Sequence, residues 1–180
     1  MTGSAIRVRA AAAEDGEHIG EAHAASWEVA YASILDTDFV ARAAAGRRQR
    51  WPTALVELLD SGALVLVVER GATVVGFAHA GPESQQRPLA EIYGFYTHPD
   101  VWGTGAASEL MSETCSALAA DFTEVVLWTL RDAGRARRFY EKVGFATTGA
   151  ERGERLSDWT TRDVVEPITV EYQRTLRTSA

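Results

Sequence analysis

At 180 residues, 46% hydrophobic and 9% aromatic, the chain is long and apolar enough for a full core and is expected to form one domain over residues 1–180. A formal charge of −7 argues against the basic face that nucleic-acid binding needs, and one cysteine, Cys115, excludes a disulfide framework or a multi-cysteine zinc site. No apolar run approaches the ~20 residues of a membrane span, and residues 1–5 lack the pattern of a signal peptide, so a reducing, cytoplasmic setting without membrane contact is expected.

Ile6 to Arg9 alternates as a short strand. From about Asp15 the residues Ile19, Ala22, His23, Ser26, Trp27, Ala30 and Ile34 recur at helical spacing on one face. Asp36-Thr37 predicts a second helix, Gly46 a break in it, and Pro52 a restart through Leu59. Leu64–Glu69 and Thr73–Ala80 read as a hairpin around Gly71, followed by a polar loop from Gly81 to Pro88. Glu91 to Thr97 reads as a strand, Pro99 marks a turn, and a helix opens at the small residues Gly103 to Ser108 and runs to about Ala119. Glu124–Leu130 is almost continuously apolar, as a strand buried on both faces is. Asp132 is expected to cap a helix with apolar Ala136, Phe139, Tyr140 and Val143, ended by Gly144 and Phe145. Strands at Ala146–Ala150 and Ile168–Leu176 flank a charged segment carrying Trp159. The order is α+β.

A helix start carries unpaired N–H groups and about half a positive charge. With only Gly, Thr, Ala and Ser around it, the start near Gly105 admits the close approach of a phosphate, so a diphosphate-bearing ligand leads the readings. Residues Gly103-Thr104-Gly105-Ala106-Ala107-Ser108 also fit a dinucleotide fingerprint loosely, with Ser108 where Gly or Ala belongs. A plain tight turn for helix packing is the third reading. A nucleoside-triphosphatase loop needs a lysine after its glycines, and the only lysine is Lys142.

Five side chains carry chemistry with a bland alternative beside each. Glu91, within an apolar strand, is an edge carboxylate or an acceptor for the proton of an ammonium ion. Tyr140 is a core ring of its helix, or a phenol able to protonate a thiolate. Trp27 and Tyr31, four apart, are core rings or an aromatic pair for an amine. His79, on a strand that borders the same region, is a structural histidine or part of an acceptor pocket. The spacing of the four histidines gives no metal site.

Pro99, the Gly-x-Gly turn, the strands beside it and the ending Phe139-Tyr140-Glu141-Lys142-Val143-Gly144-Phe145 together resemble the GNAT superfamily of acetyl-CoA-dependent N-acyltransferases. The likeness spans about Ile6 to Leu176 and is strongest from Glu91 to Phe145. It implies a mixed, mostly antiparallel sheet, splayed in the middle, with helices on both faces. It further implies acetyl-CoA as cofactor, held by the backbone of Phe95, Tyr96 and Thr97, by the turn Trp102, Gly103, Thr104, Gly105, Ala106 and Ala107, and by Phe139. Tyr140 would then be the acid and Glu91 the base, with Trp27, Tyr31 and His79 around a small-molecule amine or a protein terminus. Two positions depart from the family pattern: Trp102 replaces Arg or Gln, and Ala133 replaces Asn. They feed the alternative of an acyl-CoA-binding sensing module without turnover. Oligomeric state is open, a homodimer being one option.

Overall fold

The structure, a computed structural model, describes residues 5–83, 89–161 and 163–176. Strands β1 (Ile6–Ala10), β2 (Leu64–Arg70), β3 (Thr73–Pro82), β4 (Leu89–Thr97) and β5 (Glu124–Leu130) form one sheet with β6 (Ala146–Gly153) and β9 (Ile168–Thr175). The order is β1-β2-β3-β4-β5-β9-β6, and every pairing is antiparallel except β4 with β5. A two-stranded ribbon, β7 (Leu156–Ser157) with β8 (Val164–Val165), stands apart.

Alternation on the strands sorts two cores. Val65, Val67 and Phe77 face Ile19 of α1 (Gly16–Ala30) and Trp51 and Leu55 of α2 (Thr37–Asp60). On the other face Val68 and Ala78 meet Leu110 of α3 (Ala106–Leu118), while Ile92 and Leu127 meet Met111 of α3 and Tyr140 of α4 (Gly134–Lys142). Helices thus cover both faces, as the resemblance implied.

Four local readings are corrected. Helix α2 is unbroken through Gly46 and Pro52. Gly46 is there because a side chain would collide with the backbone of Asp158, and Pro52 lies where the bare Cα of Gly16 packs; a Cβ on Gly16 would sit 2.6 Å from Pro52 Cα. Both are marks of close packing, not of helix ends. Helix α1 stops at Ala30, so Ile34 lies beyond it in a turn, its place on the helix face lost. The loop expected from Gly81 gives way to strand through Pro82, paired with Ala90; residues 84–88 of that loop lie outside the described residues. The N-cap of α4 is Ala133, with no side-chain cap, so Asp132 does not cap it. The end of α4 is as expected: Phe145 N–H bonds Tyr140 O and Gly144 N–H bonds Glu141 O, with Gly144 at φ 91°.

Candidate active site

Strands β4 and β5 are paired only from Leu89↔Glu124 to Ile92↔Leu127. Beyond that they part, and Tyr93 to Thr97 have no strand partner on that side among the described residues. A cleft of about 780 Å³ opens in the gap, walled by β4, β5, the end of α1, the glycine turn and α4. A smaller cavity of about 250 Å³ adjoins it. The two share Tyr31, Ile92, Tyr93, Tyr96, Trp128 and Thr129; Tyr140 and Phe139 line the larger, Glu91 and Trp27 the smaller.

A bulge explains the shape. Opposite β3, His79 pairs with Gly94 but Ala80 pairs with Ile92, so Tyr93 is an extra residue. Its ring lies 5.0 Å from that of His79, and its hydroxyl donates to Pro82 O. His79 is in neither wall and lies behind them, beside Tyr93 and paired with Gly94. Burial holds its imidazole below the ordinary histidine range.

The glycine turn borders the larger cleft through Trp102, Gly103 and Ala107, with Phe95, Tyr96 and Thr97 along the open side of β4. Gly103 has φ 82° and Gly105 φ 96°, and a Cβ at either would meet nothing within 4 Å. Conformation, not crowding, calls for glycine there. Thr104 is exposed but tied to its own turn, its N–H and hydroxyl both donating to Val101 O, and Ala106 is buried in the core. The indole of Trp102 donates to Thr97 O at 2.9 Å.

Three phenols converge where the cavities meet. Burial raises Tyr140 well above an ordinary tyrosine, and the neighbouring Tyr96 raises it further. Tyr31 is raised well above as well, by burial first and then by Tyr96 and Tyr140, with Arg47 opposing. Tyr140 and Tyr31 therefore keep their protons at neutral pH. Glu91 is raised chiefly by burial; Arg152 opposes this, and Glu83, Glu154 and Glu171 reinforce it.

Trp27 and Tyr31 are neighbouring rings as their spacing predicts, edge to face at 4.8 Å. What lies behind them was not legible in the sequence. Arg47 of α2, 3% exposed, sits with Cζ 3.4 Å from the centre of the Trp27 ring and 4.7 Å from that of Trp159. Trp51 Nε1 donates to His23 Nδ1 (2.8 Å), so the neutral ring carries its proton on Nε2, which lies 3.2 Å from Arg47 Nε. In the smaller cavity Arg152 of β6 lies over Trp128 of β5, Cζ 4.1 Å from the ring centre, and pairs with Glu154 at 3.0 Å. No periodicity joins these residues, because they meet only through the sheet order β5-β9-β6.

A sheet split between two parallel neighbours, with a left-handed glycine turn at the mouth of the gap, defines the class. Residues 19–145 match the acetyltransferase (GNAT) family, and the chain belongs to it. It is 24% identical over 152 residues to the probable N-acetyltransferase Rv2775 of Mycobacterium tuberculosis, covering 83% of this chain and 84% of that one. In fold it is similar to the PaiA N-acetyltransferase of Thermoplasma acidophilum in complex with coenzyme A (TM-score 0.75, 18% identity, 95% of this chain and 99% of that). It is similar too to YncA of Salmonella typhimurium, solved with its cofactor acetyl-CoA (TM-score 0.67, 20% identity, 98% and 96%). No helix among the described residues is long and apolar enough to cross a membrane.

Proposed function

We propose that the protein transfers an acetyl group from acetyl-CoA directly to the primary amine of a small molecule or protein terminus. The observation that carries this reading is the junction of two cavities at one gap in the sheet, with a buried phenol on one side and a half-buried carboxylate on the other. The larger cleft fits a long, flexible, phosphate-ended arm. It offers an unpaired stretch of β4 for amide hydrogen bonds, as an added strand would use. At its mouth are two left-handed glycines with open space around them and three cations, Arg135, Arg138 and Lys142.

Acetyl-CoA supplies the activated thioester carbon. Glu91, acting from the smaller cavity, takes a proton from the acceptor's ammonium group and leaves a nucleophilic nitrogen. As the new C–N bond forms and the C–S bond breaks, Tyr140 gives its proton to the departing sulfur and regains one from the nitrogen. Two protons leave the nitrogen in all: one through Glu91, one by way of Tyr140 to the thiol. The raised pKa of Tyr140 keeps the phenol protonated until the sulfur departs. Rate enhancement rests mainly on holding the two reactants together at the gap. Trp27, Tyr31, Tyr93 and Trp128 give the acceptor an aromatic wall suited to a cation.

The test is release of free thiol from acetyl-CoA across a panel of polyamines, amino acids, aminoglycosides and peptides. Amine-dependent release with an acetylated product of matching mass is expected. Tight acetyl-CoA binding without release on any amine favours the sensing module instead.

A further inference from the structure

Trp102 closes one side of the cleft mouth and Arg135 the other. The indole is fixed to the end of β4 by its hydrogen bond to Thr97 O, and Arg135, the second residue of α4, lays its guanidinium over the ring with Cζ 3.7 Å from the centre. Both residues line the larger cleft, and the contact spans it from the turn before α3 to the start of α4. A guanidinium stacked by its face keeps its five N–H donors pointing outward in the plane of the group.

The charge around this contact is unlike that of the rest of the chain. The net charge is −7, and Arg9, Arg42, Arg48, Arg131 and Arg152 each hold a carboxylate. Arg135, Arg138 and Lys142 line one cleft from one helix and are in no ion pair among the described residues. Among the described residues Asp132 is the one carboxylate in the same wall, and Arg131 lies 3.9 Å from it. The bare Cα of Gly134 leaves room for Arg138 to fold back along the helix start: a Cβ there would be 3.3 Å from Arg138 Nη1. Uncommitted cations at the mouth of a cleft fit an anionic ligand, and planar donors fit phosphate.

We infer that Arg135, seated over Trp102, is the phosphate-recognising side chain of the cleft, delivering from α4 the polar group that residue 102 does not carry. Trp102 is its platform and so a positioning residue. The inference rests on the reading of this cleft as the site of acetyl-CoA. It makes the tryptophan a substitute for a polar residue rather than a defect.

Arg135 is exposed, so Arg135→Gln leaves the fold intact. Calorimetry with CoA, dephospho-CoA and pantetheine is expected to show about 10-fold weaker CoA binding by the Gln variant and no change for pantetheine, the size of one charge-assisted hydrogen bond lost. Trp102→Leu is expected to weaken CoA binding several-fold with Arg135 present and hardly at all once Arg135 is Gln. A loss that persists with dephospho-CoA assigns Arg135 to the diphosphate; one that disappears assigns it to the 3′-phosphate. CoA binding by Arg135→Gln within twofold of the parent, or an equal loss for pantetheine, overturns the inference while the cofactor reading stands. A parent protein that binds no CoA overturns both.

Discussion

Glu91 and Tyr96 share one face of β4 although they are five positions apart, an odd spacing that puts two side chains on opposite faces of a regular strand. Glu91 pairs with Gly81 and Tyr96 with Phe77 on the uninterrupted β3, so both point toward α1. The extra residue Tyr93 makes the switch. The same bulge marks where β4 leaves β5, so one inserted residue both opens the gap in the sheet and brings the carboxylate to it.

Glu91→Gln is expected to remove the rise of rate with pH if Glu91 is the base. Because burial raises its pKa, that rise lies above the ordinary carboxylate range. Stability gives an independent check. A carboxyl raised in the folded state destabilises the fold as pH climbs from its unfolded value of about 4.3 through the folded one. The Gln variant is therefore expected to melt higher than the parent at pH 7 and alike at pH 4. A pH–rate profile that keeps its shape and height assigns the proton to another acceptor.

Tyr140→Phe is expected to slow acetyl transfer by about 10²–10⁴ while leaving acetyl-CoA binding in place. The ring packs on Phe95, Phe139, Phe145 and Tyr172, contacts a phenylalanine keeps, and the hydroxyl has no hydrogen bond to another described residue. Turnover within a few-fold of the parent, measured with saturating acceptor, makes Tyr140 a packing residue only.

Element order, the Trp27–Tyr31 pair and the glycine end of α4 were legible in the sequence because each rests on neighbours within a few residues. The bulge was not: Tyr93-Gly94 reads as ordinary strand, and only the register against β3 shows the extra residue. Gly46 and Pro52 misled for the converse reason. Their local preference is to end helices, but the approach of the Asp158 segment and of Gly16 overrides it. Arg47 and Arg135 were out of reach too, since a cation seated on a ring leaves no spacing to find when the ring lies on another element.

Gly105→Glu is expected to abolish CoA binding, and Gly105→Ala to weaken it modestly. At φ 96° any side chain is strained by about 1–2 kcal/mol, yet a Cβ meets nothing within 4 Å, so the alanine reports conformation alone. The glutamate adds a negative charge where phosphate is to sit. Calorimetry on both variants, with melts to confirm folding, separates the two effects. Equal affinities for the two would move the phosphate site away from this turn.

His23 makes the fold acid-sensitive. Burial and then the Arg47 charge hold its pKa well below the ordinary value, and Nδ1, the ring's acceptor nitrogen, is taken by the Trp51 indole N–H, so a second proton has nowhere to bind. The unfolded chain takes up that proton below about pH 6.5, so stability is expected to fall as pH drops through that value, by up to about 1.4 kcal/mol per unit. Denaturant melts of the parent and of His23→Asn between pH 7 and pH 5 measure it. A parent slope no steeper than that of the variant would sink the assignment.

Trp27 lines the smaller cavity, the proposed seat of the acceptor, and its substitution has to be chosen with Arg47 in mind. Truncation to alanine would take about 3–5 kcal/mol of stability and would uncover a buried guanidinium whose pKa burial has already lowered to about 10. Trp27→Phe keeps a ring beneath Arg47. It also removes the indole N–H, which is buried without a hydrogen-bond partner among the described residues, so the loss of area is partly offset. The variant is expected to fold, to bind acetyl-CoA as the parent does, and to raise the KM for the amine several-fold with kcat little changed, because the ring lines the smaller cavity and not the larger. Steady-state kinetics with each substrate varied in turn decides it. An unaltered amine KM in the folded variant would leave Trp27 as the support for Arg47 and nothing more.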